Sequence, residues 1–227
     1  MRISAKTGRN NKRHIYIDGV YSVTTQKNVW QSLGLNDDDE ISEETWGKIL
    51  SKIYFEKIYS SALTFLTRRE HSRYELYQKL YQKFVLKPSQ NSDKGNLPDF
   101  ADKNFIADHI EMVCDRLEET NLLSDERYAR LYSEELVRVK RMGMSGIKTA
   151  LLKKGISKEI IETVCSELDH NPNELIKEIL KVRYRHFDLY DEAQQAKAIN
   201  YLVRRGYRLS EIRQALYEFL EDYVAPY

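Results

Sequence analysis

Two cysteines, four prolines and nine glycines are all that 227 residues contain of these types, and each shortage excludes something. Two thiols cannot make a disulfide framework, and Cys114 and Cys165 occupy the same position of a repeated apolar face, so both are expected to be buried and reduced. No apolar run approaches the ~18 residues of a membrane span. The opening Met1-Arg2-Ile3-Ser4-Ala5-Lys6 has no apolar signal-peptide core, so a cytoplasmic protein is expected. An excess of one charge sign is missing too. Lys plus Arg number 36 against 35 Asp plus Glu, a net charge of +1. A non-specific nucleic-acid binder carries a strong basic excess, so any electrostatic footprint here must be local. The five histidines (His14, His71, His109, His170, His186) are scattered, and none stands one helical turn from another histidine or from a cysteine. There is no glycine-rich phosphate loop. These absences together predict no metal, no cofactor and no catalytic constellation, so the chain reads as a binding protein rather than an enzyme.

What is present is a repeat. Ile161, Val164, Cys165 and Leu168 follow Lys153-Lys154-Gly155-Ile156-Ser157, and fifty-one residues later Ile212, Ala215, Leu216 and Phe219 follow Arg204-Arg205-Gly206-Tyr207. The same step backwards finds Ile110, Val113, Cys114 and Leu117. Apolar residues at i, i+3, i+4 and i+7 are one face of an α-helix. Three copies in register indicate a repeated helical unit, because chance amphipathicity does not keep a fixed offset.

Taken in order, the chain opens on a small mixed head, residues 1–53. His14–Thr25 alternates apolar and polar around Asp18-Gly19, a hairpin signal because both turn residues need positive φ. Arg2–Lys6 fits a further strand. Gln26–Leu33 reads as a short helix closed by Gly34, and Ser42-Glu43-Glu44 opens a longer one. Such a head suits the terminal cap of a helical array. A first triplet is expected over 54–121, with Ser72 and Glu75 as a capping box. A loop rich in polar residues and proline is expected at 86–105, and it accounts for the step of 71, rather than 51, from Leu80 to Leu151. The second triplet spans 122–170. It places Tyr128, Leu131, Tyr132 and Leu136 on one side of a helix that Ser124 can cap. Gly143 ends that helix, Gly146–Lys154 forms the middle one with Gly155 as its stop, and Ser157 caps the third. The third triplet, 171–227, starts on Asn171-Pro172, with proline suited to a first turn. Its aromatic residues Tyr184, Phe187, Tyr190, Tyr201, Tyr207, Tyr217, Phe219 and Tyr223 read mostly as core and inter-unit packing. The expected fold class is mainly α: tandem three-helix repeats in an elongated array, with a small N-terminal β-hairpin and helix as cap.

These residues resemble the RecX family, regulatory proteins of the bacterial recombinase RecA. The family's Arg-x-x-Ser-x-x-Glu-Leu-x-x-x-Leu pattern stands here as Arg69, Ser72, Glu75, Leu76 and Leu80. Its leucine, aspartate, arginine, tyrosine and alanine signature is carried by Leu123-Ser124-Asp125-Glu126-Arg127-Tyr128-Ala129. Gly143, Ile147, Leu151, Lys154, Gly155 and Ile156 match a third pattern, and Arg204-Arg205-Gly206-Tyr207 the closing one. Ala150 and Met144 depart from the usual glutamate and proline. The resemblance implies a protein that lodges in the groove of the RecA–single-stranded-DNA filament. There it is implied to modulate, mostly to inhibit, ATP hydrolysis, strand exchange and coprotease action.

The residues permit this. A stack of triplets offers an extended concave face to a periodic track, and bases gather locally in an otherwise neutral chain. The candidate partner or DNA contacts are Arg69, Arg73, Arg127, Arg138, Lys140, Arg141, Lys148, Lys153, Lys154, Arg204, Arg205 and Arg208. Such charges set register and encounter rate more than affinity, and they are able to meet filament phosphates. Lys153-Lys154 and Arg204-Arg205 also sit at helix C-termini, where cations offset the helix dipole by about 0.3–1 kcal/mol. The expected partner is RecA as a filament, met by a monomer, with weak direct DNA contact and no membrane. The alternative is a direct DNA-binding array of helix-turn-helix-like units, which requires a steep salt dependence.

Overall fold

In the computed structural model, residues 1–86 and 102–224 are described, the side chains of 222–224 excepted. The expected 86–105 loop lies largely outside these residues. So do the side chain of Tyr223 and residues 225–227 of the third triplet. The chain divides into two compact units, Met1–Ser124 and Asp125–Tyr227.

The first unit opens with three strands, β1 Ile3–Thr7, β2 Lys12–Ile17 and β3 Val20–Gln26, paired antiparallel in the order β1-β2-β3. Asp18 and Gly19 both have positive φ, 48° and 79°, the geometry that lets a two-residue turn follow the twist of its strands. Ile3, Ile15 and Val23 point from one face of the sheet into a core completed by Trp30, Trp46, Leu50 and Ile53. Trp30 lies on the short helix α1 Lys27–Gln31, and the others on α2 Glu43–Leu66. Ser42 caps α2 by accepting from the Thr45 N–H at 3.1 Å. Helix α2 runs unbroken through residues 53 and 54. Its first half covers the sheet, while its second half, through Ile58 and Ala62, enters a separate core. That core belongs to α3 Arg73–Tyr81 and α4 Lys103–Glu119, through Leu76, Leu80, Ile110, Val113, Cys114 and Leu117. Ser72 caps α3 from the Glu75 N–H at 3.1 Å, while the Glu75 carboxylate pairs with Arg69.

The second unit holds two helix triplets. The first is α5 Asp125–Arg138, α6 Met144–Leu152 and α7 Lys158–Glu167, around Tyr128, Leu136, Ile147, Leu151, Ile161 and Val164. The other is α8 Pro172–Arg183, α9 Glu192–Arg204 and α10 Leu209–Val224, around Ile176, Leu180, Ala198, Leu202, Ile212 and Leu216. Helices α4, α7 and α10 therefore bury the residues that the fifty-one-residue step relates. Ile110, Ile161 and Ile212 are 0, 4 and 0% exposed, so each step lands on a core position. Ser157 and Asn171 cap α7 and α8, with Pro172 in the first turn of α8.

Several expectations are corrected. Leu131 faces out, 51% exposed, because the core-facing stripe of α5 turns through Tyr128, Ala129 and Leu136. Phe187, Tyr190 and Tyr217 are exposed rather than core, since Tyr184, Leu189, Tyr207 and Phe219 already fill the third triplet. Helix α6 begins at Met144, so Gly146 lies inside it rather than at its start.

Candidate partner interface

Helices α6 and α9 end in the same turn. Tyr207 N–H donates to the Leu202 carbonyl at 3.2 Å and Gly206 N–H to Val203 at 2.9 Å; fifty-one residues earlier, Ile156 donates to Leu151 at 3.2 Å and Gly155 to Leu152 at 3.0 Å. Both glycines have positive φ, 77° at Gly155 and 91° at Gly206. This paired-bond stop satisfies carbonyls that a helix end leaves open. Each turn presents a tetrapeptide of one pattern, apolar, cation, cation, glycine: Leu152-Lys153-Lys154-Gly155 and Val203-Arg204-Arg205-Gly206. The apolar leads are half exposed, Leu152 at 50% and Val203 at 44%.

The second of these tips is bolted to the start of α6. Gly143 N–H donates to the Arg205 carbonyl at 3.0 Å and Ser145 N–H to Gly206 at 3.2 Å. The backbones meet so closely that a Cβ on Gly143 would stand 2.4 Å from the Gly206 carbonyl carbon, and one on Gly146 2.4 Å from the Arg205 oxygen. Glycine at 143 thus serves approach rather than capping, since it offers no side-chain acceptor to the helix. Side chains fasten the same seam. Tyr207 Oη donates to the Arg141 carbonyl at 2.9 Å, the Arg205 guanidinium bonds the Lys140 carbonyl, and Arg141 pairs with Glu178 at 2.7 Å.

The sequence-predicted cations divide by what holds them. Arg73 is clasped by three carboxylates of α4: Glu111 at 2.6 Å, Asp115 at 2.7 Å and Glu118 at 2.6 Å. Arg69 pairs with Glu75 and bonds the Glu70 carbonyl. Lys140 reaches Glu135 at 3.6 Å and lies 5.7 Å from the Tyr132 ring centre, with Lys154 5.9 Å from the same ring. Arg205 lies 5.1 Å from the Tyr201 ring, and Arg183 4.5 Å from it. Cations over aromatic faces are attracted by the ring quadrupole, so these residues are part of the structure's own packing. Arg127 is half buried near the start of α5. Arg138, Lys148, Lys153, Arg204 and Arg208 are exposed, and no side-chain ion pair is recorded for any of these five among the described residues. Within the second unit the two tips each contribute one such free cation, Lys153 and Arg204. Sequence reasoning singled out the tips but not the seam. The signal for it was glycine at 143 and 146, at the head of a helix where Ser, Asp or a strong helix former is preferred.

Among the described residues no group of acids, histidines and cysteines is arranged to hold a metal, and no helix is long and apolar enough to cross a membrane. Both cysteines are free and buried. Burial pushes the Cys114 thiol up to about 12 and raises that of Cys165, and the thiolate is the reactive form. Iodoacetamide at pH 8 is therefore expected to modify neither thiol of the folded protein within minutes and both in denaturant. Rapid native labelling of Cys114 would contradict the fold of the first triplet.

Lys177 at 2.9 Å, then Asn173 and Gln214, hold the Glu218 carboxylate well below its ordinary range, at about 2. A depressed folded pKa contributes stability above the unfolded value near 4.5 that is lost as pH falls towards 2. The Tm difference between wild type and Glu218→Gln is expected to shrink over that window. A difference that stays constant from pH 6 to 2 would exclude the linkage.

What the geometry defines is a helical-repeat protein whose candidate surface is made of cations, aromatic rings and glycine turns. Residues 59–84 match the RecX first three-helix domain and residues 124–164 the RecX second three-helix domain. The chain is 31% identical over 166 residues to the regulatory protein RecX of Prosthecochloris aestuarii, covering 73% of this chain and 95% of that one. It is 26% identical over 227 residues to the regulatory protein RecX of Clostridium acetobutylicum, covering 97% and 96%. A crystal structure of regulatory protein RecX shares the fold, with a TM-score of 0.61 at 22% identity over 97% of each chain. The chain belongs to the RecX family of regulatory proteins.

Proposed function

We propose that this protein regulates the RecA recombinase by lodging on the RecA–single-stranded-DNA filament and holding it in one geometry. Protomers held so cannot cycle, and ATP hydrolysis, strand exchange and coprotease action fall together. The observation that carries this reading is the pair of tips at 152–155 and 203–206, equal in pattern and joined through the Gly143–Gly206 seam into one unit. Two like contacts at a fixed separation suit a surface that repeats, because the second contact forms at high effective concentration once the first has formed. The triplets 54–121, 122–170 and 171–227, with 1–53 as cap, are taken as the repeating elements of that arrangement. The protein acts as a monomer and without a cofactor of its own. The exposed Arg138, Lys148, Lys153, Arg204 and Arg208 contact RecA or filament phosphates, whereas Arg69, Arg73, Arg127, Lys140, Arg141, Lys154 and Arg205 shape the surface.

The test is RecA's single-stranded-DNA-dependent ATPase, titrated with this protein, together with filament co-sedimentation. Inhibition is expected well below one molecule per RecA protomer. Absence of both inhibition and co-sedimentation would remove the reading. Tight duplex binding without RecA, with a steep salt slope, would favour the direct DNA-binding array instead.

A further inference from the structure

The fifty-one-residue step relates α5 to α8 as well. It carries Tyr128, Ala129 and Ser133 onto Ile179, Leu180 and Tyr184, and all six are buried. The second and third triplets differ at one corner. Opposite Tyr184 the second has only Ser133, whose hydroxyl donates to the Arg130 carbonyl at 2.9 Å. Helix α10 runs on through Phe219 and Leu220, both packed into the third core. Helix α7 stops at Glu167, and the chain leaves it extended at Leu168, with ψ 125°. Where a tyrosine, a phenylalanine and a leucine fill the third triplet, the second has a cleft of about 650 Å³ between α5 and the end of α7. Arg130 ties the two walls together, pairing with Glu126 at 2.8 Å and with Glu167.

The cleft is apolar within and acidic at its edge. Val137, Val164 and Leu168 line it, and Leu131 stands on its rim, 51% exposed. Four acids, Glu134, Glu135, Glu167 and Asp169, face two bases, Arg130 and Arg138. Arg130 is matched as described, and Glu135 reaches Lys140 at 3.6 Å. Glu134 and Asp169 are exposed, and no ion pair is recorded for either among the described residues. The step puts Arg185 at the place of Glu134 and Leu220 at that of Asp169, so these two acids belong to the second triplet alone.

We infer that this cleft takes a basic segment of the protein partner proposed above, which inserts one aromatic or large aliphatic side chain with lysine or arginine beside it. The inference rests on that reading for the partner, and on the cleft for the chemistry. The third triplet shows which side chains such a space accepts. The acidic rim selects the cationic neighbours and speeds their encounter. A large side chain seated in a pocket is the usual anchor of a protein interface, and clefts of this size are the usual form of a binding site. The cleft shares no residue with the tips at 152–155 and 203–206.

The probe is an acetylated, amidated hexapeptide, Lys-Leu-Lys-Lys-Phe-Lys, titrated into the full chain and followed by NMR amide shifts and calorimetry. It is expected to shift the Leu131, Glu134 and Leu168 amides. A version with alanine for both apolar residues, and one with glutamate for every lysine, are each expected to bind about tenfold more weakly. Leu131→Asp and, separately, Glu134→Lys with Asp169→Lys are expected to weaken the probe about tenfold. All three residues are exposed, so Tm is expected to hold. Glu162→Lys, on α7 outside the lining, is expected to leave binding unchanged. No shift at these amides, a glutamate version that binds as well, or binding that survives both variants overturns the inference. Filament co-sedimentation then tests the partner. Wild type that sediments with RecA filaments, and Leu131→Asp that does so about tenfold less well, supports it. Equal sedimentation of the two overturns the inference and leaves the function proposed above standing. Wild type that does not sediment removes that function, and the hexapeptide then decides the cleft by itself. Self-association of the wild type that Leu131→Asp abolishes makes the occupant a second copy of this chain, and overturns the inference.

Discussion

Gly206→Ala is expected to destabilise the second unit by about 3 kcal/mol or more, lowering its Tm by roughly 12–24 °C. Two effects add at this residue. Its φ of +91° disfavours any Cβ, which alone costs about 1 kcal/mol. The Cβ would also stand 2.1 Å from the Gly146 nitrogen and 2.5 Å from its Cα, so backbone, not a yielding side chain, must move. Gly34 separates the two effects. Its φ is +67°, yet nothing lies within 4 Å of where its Cβ would be. Gly34→Ala is therefore expected to cost about 1 kcal/mol, and Gly34→Asn less, because asparagine tolerates this conformation. Gly206→Asn is expected to be as damaging as Gly206→Ala, since asparagine relieves the torsion but not the collision. Thermal unfolding followed by circular dichroism measures all four. If Gly206→Ala falls no further than Gly34→Ala, the seam between α6 and the α9–α10 turn is not as close as described.

That seam also marks what the sequence can convey. The buried faces of α4, α7 and α10 were readable because burial imposes a 3.6-residue period and the repeat states it three times. Caps at Ser42, Ser72 and Ser157 were readable because one short side chain satisfies one local N–H. The Asp18-Gly19 turn was readable for the same reason: its geometry is a property of two adjacent residues. A contact between Gly143 and Gly206 spans sixty-three residues, and neither glycine announces its partner. Each reads alone as a helix boundary, which is true of both and incomplete. Leu131 and Tyr217 were misread because an apolar or aromatic residue near a stripe does not reveal how wide the stripe is. The π-helical turn Gln82–Leu86 that follows α3 is not legible because it is defined by an absence, Phe84 where the other triplets have Gly155 and Gly206.

The cations show the same division, and it fixes the most informative functional variant. The four residues Lys153, Lys154, Arg204 and Arg205 look alike in sequence, yet Lys154 and Arg205 lie against the rings of Tyr132 and Tyr201, and Arg205 also bonds the Lys140 carbonyl. Lys153 and Arg204 stand exposed beside them. Removing the first pair strips packing and a hydrogen bond, and is expected to cost about 1–3 kcal/mol of stability. Removing the second pair, as Lys153→Ala with Arg204→Ala, is expected to leave Tm within about 1 °C, as surface substitutions do. The same double variant is expected to weaken filament association about tenfold, from two exposed pairings of roughly 0.5–1 kcal/mol each. The loss should fall chiefly on the association rate and flatten its salt dependence, because rim charges steer encounter. Co-sedimentation and stopped-flow binding at two salt concentrations read both quantities. A double variant that keeps wild-type affinity and salt slope moves the contact away from the tips. Arg138, Lys148 and Arg208 are then the next exposed cations to remove. A tenfold loss at unchanged Tm instead separates recognition from folding at two neighbouring positions of one repeated tetrapeptide.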